Sequence, residues 1–261
     1  MNILDKIIKD KRKEVQLKKS VVPTSQLEQA ALFERKGISL SNRLINSQTG
    51  IIAEHKRRSP SKQVINQYTN VAQVAKGYEK AGASGMSVLT DSKYFGGSLE
   101  DLVLARTVDN LPLLRKEFII DEYQVMEAKA HGADVILLIA AVLSRNEIKI
   151  LSELAQSLDM EVLLEVHNEA ELQKSLMPSL NMLGVNNRDL KTFTVSLEIS
   201  KSLSTQIPTD FVAVSESGIS TVEAITELRQ YGYQGVLIGE NFMKTEIPGK
   251  AASEFIKKLA G

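Results

Sequence analysis

The sequence predicts an α/β protein whose eight parallel strands close into a barrel, the (β/α)8 TIM-barrel arrangement, behind an N-terminal helical extension. Three observations carry that prediction. First, one unit recurs: a charged amphipathic stretch ends on glycine and a short aliphatic run follows, as in YEKAGASGMSVLTD, AKAHGADVILLIA and RQYGYQGVLIGE. Glycine supplies the left-handed residue that ends a helix, and an aliphatic run suits a strand buried on both faces. Second, eight such alternations over about 210 residues match a closed barrel in number and length. Third, an open doubly wound sheet ordinarily begins with a GxGxxG turn, and none follows the first strand here.

The elements follow in order. Residues 1–46 stand outside the repeat. Ile3, Leu4, Ile7 and Ile8 recur at helical spacing between charges, which predicts an amphipathic helix and excludes a signal peptide. The barrel spans 47–261, and the whole chain, 1–261, is expected to form one domain. Its first strand is GIIAE (50–54), and the glycine units above contain the second, fourth and eighth. LPLLRKEF (111–118), MEVLLEVH (160–167), NMLGVN (181–186) and DFVAVSES (210–217) supply the others. Between them lie helical stretches such as NVAQVAKGYEKAG, SLEDLVLARTV, DEYQVMEAKAHG and SRNEIKILSELAQSL. NEAELQKSLM, SLEISKSLS, STVEAITELRQYG and PGKAASEFIKKLA complete the set. Several open on Asn, Ser or Asp, the side chains that cap a helix N-terminus.

Composition removes several function classes. Lysine plus arginine equals aspartate plus glutamate, at 32 each, so no global field favours nucleic acid or a membrane surface. Cysteine is absent, which excludes disulfides, thiol nucleophiles and cysteine metal sites. His55, His131 and His167 show neither HxxxH nor HExxH spacing, so no metal site is expected. No stretch approaches the roughly 18 apolar residues of a membrane span. A soluble cytoplasmic protein is expected.

In such barrels chemistry gathers at the C-terminal ends of the strands. Strand one ends in Glu54 and Lys56, two apart and so on one face. Strand two runs into TDSKYFGGS, with Tyr94 and Phe95. Lys116 shares a face with Leu114 and Phe118 at the end of strand three, strand four ends in Ala140 and Ala141, and strand five presents Glu165. Asn186, Asn187 and Arg188 close strand six, and strands seven and eight end in SESG and IGE. Each feature alone has a plain reading: a lysine after a strand is commonly solvated, Glu165 would serve as an ion-pair partner in a barrel layer, and KRRSP would be a solvated basic loop. Seven polar, aromatic or glycine-bearing ends out of eight point instead to one shared pocket. Gly218 and Gly239 would let backbone approach a phosphate, while Phe95, Phe118, Leu137 and Ile139 offer an apolar wall. The residues therefore suggest a phosphorylated substrate with an apolar or aromatic part, handled by lysine and glutamate without metal.

IIAEHKRRSPSK, VLTDSKYFGGS, LLRKEFIIDEYQ, LLEVHNEAEL, LGVNNRDLKTF, VSESGI and LIGENFM resemble, in order and spacing, the indole-3-glycerol phosphate synthase family of tryptophan biosynthesis. The resemblance covers essentially the whole chain. It implies that 1-(2-carboxyphenylamino)-1-deoxyribulose 5-phosphate closes a ring, losing carbon dioxide and water, with no cofactor. Lys116 matches the general acid and Glu165 the general base of the dehydration. Glu54, Lys56 and Asn186 match supporting catalytic positions, with Asn186 and Arg188 lining the site and Ser59 near the substrate carboxylate. Ser217, Gly218, Gly239 and Glu240 match the phosphate turns, with Glu216 beside them among the substrate-binding residues. Phe95, Phe118, Leu137 and Ile139 match the anthranilate pocket. His55 faces the other way and is read as structural. Gln63 stands where the family usually has glycine, and Glu117 where it often has aspartate; neither is expected to touch the chemistry.

The rivals are another phosphate-binding barrel enzyme, such as phosphoribosylanthranilate isomerase, or a Schiff-base aldolase using Lys116 as nucleophile. A non-catalytic module holding nucleic acid through KRRSPSK is disfavoured by the balanced charge. A monomer and association with other tryptophan-pathway enzymes are both compatible with the sequence.

Overall fold

The computed structural model describes residues 3–189 and 192–261, so Met1 and Asn2 of the extension and Leu190 and Lys191 of LGVNNRDLKTF lie outside the described residues. Eight parallel strands close in sequence order: β1 (Ile51–His55), β2 (Gly85–Leu89), β3 (Leu113–Lys116), β4 (Val135–Ile139), β5 (Glu161–Val166), β6 (Met182–Asn186), β7 (Val212–Glu216) and β8 (Gly235–Ile238). The ring shuts where Ala53 pairs with Ile238. Alternation sends Ile52, Leu114, Leu137, Leu163, Val214 and Leu237 into the barrel interior, while their sequence neighbours pack outward under the helices.

Helices α1 (Ile3–Val21), α2 (Thr24–Glu28) and α3 (Leu40–Ile45) precede β1. After each strand the chain returns through α4 (Val71–Ala81), α5 (Ser92–Phe95) with α6 (Leu99–Val108), α7 (Glu122–Ala130), α8 (Arg145–Ser157), α9 (Glu169–Ser175), α10 (Glu198–Ser204), α11 (Val222–Gln230), and α12 (Glu240–Met243) with α13 (Pro248–Ala260). The expected caps are in place. Asn70 accepts the Ala72 and Gln73 N–H groups of α4, and Gly82 ends that helix at φ +84°. Ser144 and Glu147 form a reciprocal capping box on α8. Helices α5 and α12 escape the sequence pattern, because four residues are too few to show a helical period.

The extension is built into the floor of the barrel. Leu40 and Leu44 of α3 are buried and belong to the interior apolar cluster, each worth about 1.5–3 kcal/mol of burial. Glu161, at the start of β5, accepts from Ser39 Oγ and Ser41 Oγ with one oxygen and from the Leu40 and Ser41 N–H groups with the other. Asp134, just before β4, accepts from Arg35 and the Ile38 N–H with Oδ1, and from Arg106 and the Leu113 N–H with Oδ2. Among the described residues no helix is long and apolar enough to cross a membrane.

Candidate active site

A cavity of about 430 Å³ opens at the C-terminal mouth, and residues from both ends of the sequence line it. Glu54, Lys116, Glu165, Asn186 and Glu216 reach it because each follows the inward-facing residues of its strand by two. Register does the rest. Glu165 pairs beside Ile139 and Asn186 beside Glu216, so groups far apart in sequence become neighbours.

Lys116 stands at the centre. Its ammonium contacts Glu216 Oε2 in a short ion pair and lies 3.3 Å from Glu165 Oε2. Burial works against that charge, but Glu216, Glu165 and Glu54 outweigh it and hold the lysine above its ordinary range. Glu165 is also buried, yet Lys116, then His167 and a hydrogen bond from Asn186, keep its carboxyl below the usual value. Glu216 goes the other way. Burial, with Glu165 and Glu54 adding like charge against the pull of Lys116, pushes it up to about 7. Its Oε1 is buried without a hydrogen-bond partner, and it fits there because β6 carries Gly184, where a Cβ would run into that oxygen. Glu216, grouped by sequence with the substrate-binding residues, thus sits directly on the central lysine.

Glu54 and Lys56 share a face as expected, with Lys56 Nζ 2.7 Å from Glu54 Oε1. His55 faces away and is buried, where burial and the nearby Arg57 push its imidazole down to about 4. The basic run beyond it is half-buried, with its arginines engaged. Arg57 binds Asp101 and the Gly96 carbonyl, and Arg58 donates to the Ser92 and Lys93 carbonyls. With those guanidiniums occupied, the nucleic-acid reading loses its main cations. Ser59 and Lys62 exchange backbone hydrogen bonds across Pro60 and Ser61, and Lys62 spans the mouth to Glu240 at 2.7 Å. Gln63, next in line, is exposed.

The apolar wall forms as expected, with the Phe95 and Phe118 rings 6.0 Å apart over Leu137 and Ile139. Ile3, Leu4 and Ile7 of α1 complete it. Their helical spacing was legible, but nothing in it pointed to the mouth. Glu117 lies nearer the site than the sequence suggested. It is buried, accepts the Phe118 N–H at 2.8 Å and meets Lys11 of α1 at 3.0 Å.

On the opposite side, Ser217 and Gly218 adopt successive left-handed conformations, φ +71° and +77°. For serine that conformation costs about 1–3 kcal/mol, and such strain persists where surroundings impose it, commonly at functional sites. Buried Asn187 helps to impose it, donating to the Ser217 carbonyl at 3.2 Å and to Ser215 Oγ at 2.9 Å. Gly239 approaches Glu54 so closely that a Cβ there would lie 2.5 Å from Oε1. Arg188 also lines the cavity, with its side chain on the Phe193 carbonyl at 3.2 Å.

The family model described as indole-3-glycerol phosphate synthase matches residues 4–255. A protein of that name from Bacteroides thetaiotaomicron is 46% identical over 258 residues, covering 99% of both chains. Another, from Caldanaerobacter subterraneus subsp. tengcongensis, is 40% identical over 259 residues, again with 99% of each covered. Among solved structures, thiamine phosphate pyrophosphorylase from Pyrococcus furiosus superposes with a TM-score of 0.61 over 85% of this chain and 100% of its own. At 16% identity that likeness shows the barrel alone.

Proposed function

Because the chain belongs to the indole-3-glycerol phosphate synthase family, a family of carboxy-lyases of tryptophan biosynthesis, we propose that its mouth closes the indole ring by acid–base catalysis between Lys116 and Glu165. The observation that carries this reading is the central ammonium, held charged among carboxylates between an aromatic wall and a strained glycine turn.

The substrate in this reading is 1-(2-carboxyphenylamino)-1-deoxyribulose 5-phosphate. Its ring packs against Phe95, Phe118, Leu137 and Ile139, and its phosphate lies at Ser217, Gly218, Gly239 and Glu240. Lys56, Ser59 and Arg188 face its anionic groups. The ring carbon that bears the carboxylate attacks the ketose carbonyl, and Lys116 gives that oxygen a proton as the bond forms. The carbon–carboxylate bond then breaks, and its electron pair restores the aromatic ring as carbon dioxide leaves. Lys116, recharged from solvent, protonates the new hydroxyl so that it departs as water, while Glu165, 3.3 Å from that ammonium, takes the proton lost from the adjacent carbon. Glu216 keeps Lys116 protonated, which suits an acid. The same environment opposes a Schiff-base role, which needs a lysine that readily loses its proton.

Purified protein mixed with this substrate should develop indole fluorescence; no signal from folded protein would overturn the assignment. Glu165→Gln keeps size and hydrogen bonding but removes the base. It should slow dehydration and abolish the acid limb of the rate profile, and near-normal turnover with that limb intact would reduce Glu165 to a barrel-layer residue. Inorganic phosphate should compete with substrate, and its failure to do so at high concentration would displace the phosphate from the glycine turns.

A further inference from the structure

Two residues beyond Glu165, at the end of the same strand, lies His167. Its ring is held from behind by the first turn of α9. Nδ1 lies 3.2 Å from Glu171 Oε2, and that oxygen also accepts the His167 backbone N–H at 2.8 Å. Asn168, the N-cap of α9, donates its amide to the other Glu171 oxygen at 2.8 Å. The second ring nitrogen, Nε2, is buried and has no hydrogen-bond partner. It faces Glu165 Oε1 at 3.4 Å, while the other oxygen of Glu165 belongs to Lys116.

We propose that His167 is a positioning residue for the reaction: clamped by Glu171, its charged ring holds Glu165 as a carboxylate with Oε1 drawn inward, leaving Oε2 toward Lys116. This rests on the reading of Glu165 as the base. The groups around the imidazole favour its charge, since Glu165 on β5, Glu171 on α9 and Glu216 on β7 are all acidic. Burial opposes them, and the carboxylates prevail, so His167 stays protonated to higher pH than a free histidine. Around Glu165, Lys116 on β3 and His167 favour the ionised form, assisted by Asn186 on β6, while buried Glu216 on β7 lies across the same ammonium. Removing the imidazolium therefore makes Glu165 easier to protonate.

The test is a pair of pH profiles and a titration. His167→Gln keeps a hydrogen-bonding amide but no charge. Its acid limb in kcat should move up by about one pH unit, the scale of a neighbouring opposite charge, with KM nearly unchanged. Glu171→Gln should move the limb the same way by less. A uniform loss of kcat with the limb in place, while Glu165→Gln is inactive, overturns the proposal alone. Full turnover in Glu165→Gln sinks the base reading and the proposal together. Independently of catalysis, NMR titration of the three histidines, with His167 assigned through its variant, should show it titrating above about 6.5. That midpoint should fall in Glu171→Gln and again in Glu165→Gln. A midpoint at or below the ordinary value in the parent protein, where no variant can misfold, overturns the inference.

Discussion

At the floor of the barrel, Asp134 and Glu161 each take four donors, two on every carboxylate oxygen. At the mouth, Glu216 takes a single ammonium and leaves one buried oxygen bare. The floor satisfies its charges with backbone N–H groups, hydroxyls and arginines, and so ties the extension to the strands. The mouth sets like charges against each other and holds Ser217 in a costly conformation. An unpaired buried acceptor costs about 1–3 kcal/mol. Such a cost persists when an arrangement is retained for chemistry, so the same residue type stabilises at one end and, in the proposed reading, acts at the other.

This contrast predicts that substitutions at the mouth change rate and substitutions at the floor change stability. The largest effect belongs to Lys116→Ala. General acid catalysis contributes about 10²–10⁴-fold, and steady-state indole formation should fall by at least that range in folded protein. A fall under about tenfold would remove Lys116 from the acid role.

Asp134→Ala should do the reverse. It strips the acceptor from the Leu113 and Ile38 N–H groups and from one arm of Arg106, whose other arm keeps Asp109 and the Leu111 carbonyl, a loss of about 1–3 kcal/mol for each buried group left unpaired. Denaturant unfolding should report that loss, while kcat of the protein that remains folded at low temperature stays near the parent value. A large drop in kcat without a drop in stability would erase the division between the two ends.

Gly239→Val is next. A side chain there strikes Glu54 and, with the phosphate placed as proposed, blocks its approach, so KM should rise and kcat should fall with it. A rise in KM alone would mean that Glu54 moves aside without consequence.

The smallest effect is on pH dependence. Glu216 is held up to about 7 in the fold, against an ordinary carboxyl near 4.5. Its contribution is fully present below the unfolded value and is lost as pH rises through 7, because the unfolded chain gives up that proton first. Glu216→Gln removes this loss. The difference in Tm between variant and parent should therefore grow in the variant's favour from pH 5 to 7 and level off above, whatever its value at pH 5. A flat difference would show that Glu216 is ionised as easily in the fold as outside it.

Much of this was legible along the chain. The barrel followed from the repeat of helix, glycine and aliphatic run, because strand and helix periods are local properties of neighbouring side chains. Glu54 with Lys56, and Lys116 with Phe118, were readable because a two-residue step keeps side chains on one face of a strand. The strand ends named the candidates, and the family resemblance supplied the roles proposed for them. Ile3, Leu4 and Ile7 were legible as a helix face but not as part of the cavity wall. Asn187 was visible only as one polar residue in a row, and its hold on the Ser217 carbonyl was not.

Identity, order and facing of the site residues are thus properties of the chain, since they depend on spacings of two to four residues. Which of those residues oppose each other depends on closure of the ring, which brings β3, β5 and β7 together from positions 116, 165 and 216. Glu216 illustrates the difference. In sequence it is one residue of SESG beside a glycine turn, whereas in the barrel it shares the ammonium of Lys116 and lies in the space left by Gly184. Its upward shift comes from burial and from the carboxylates of Glu165 and Glu54, far off along the chain, against the pull of Lys116, and electrostatic interactions of that kind act through space.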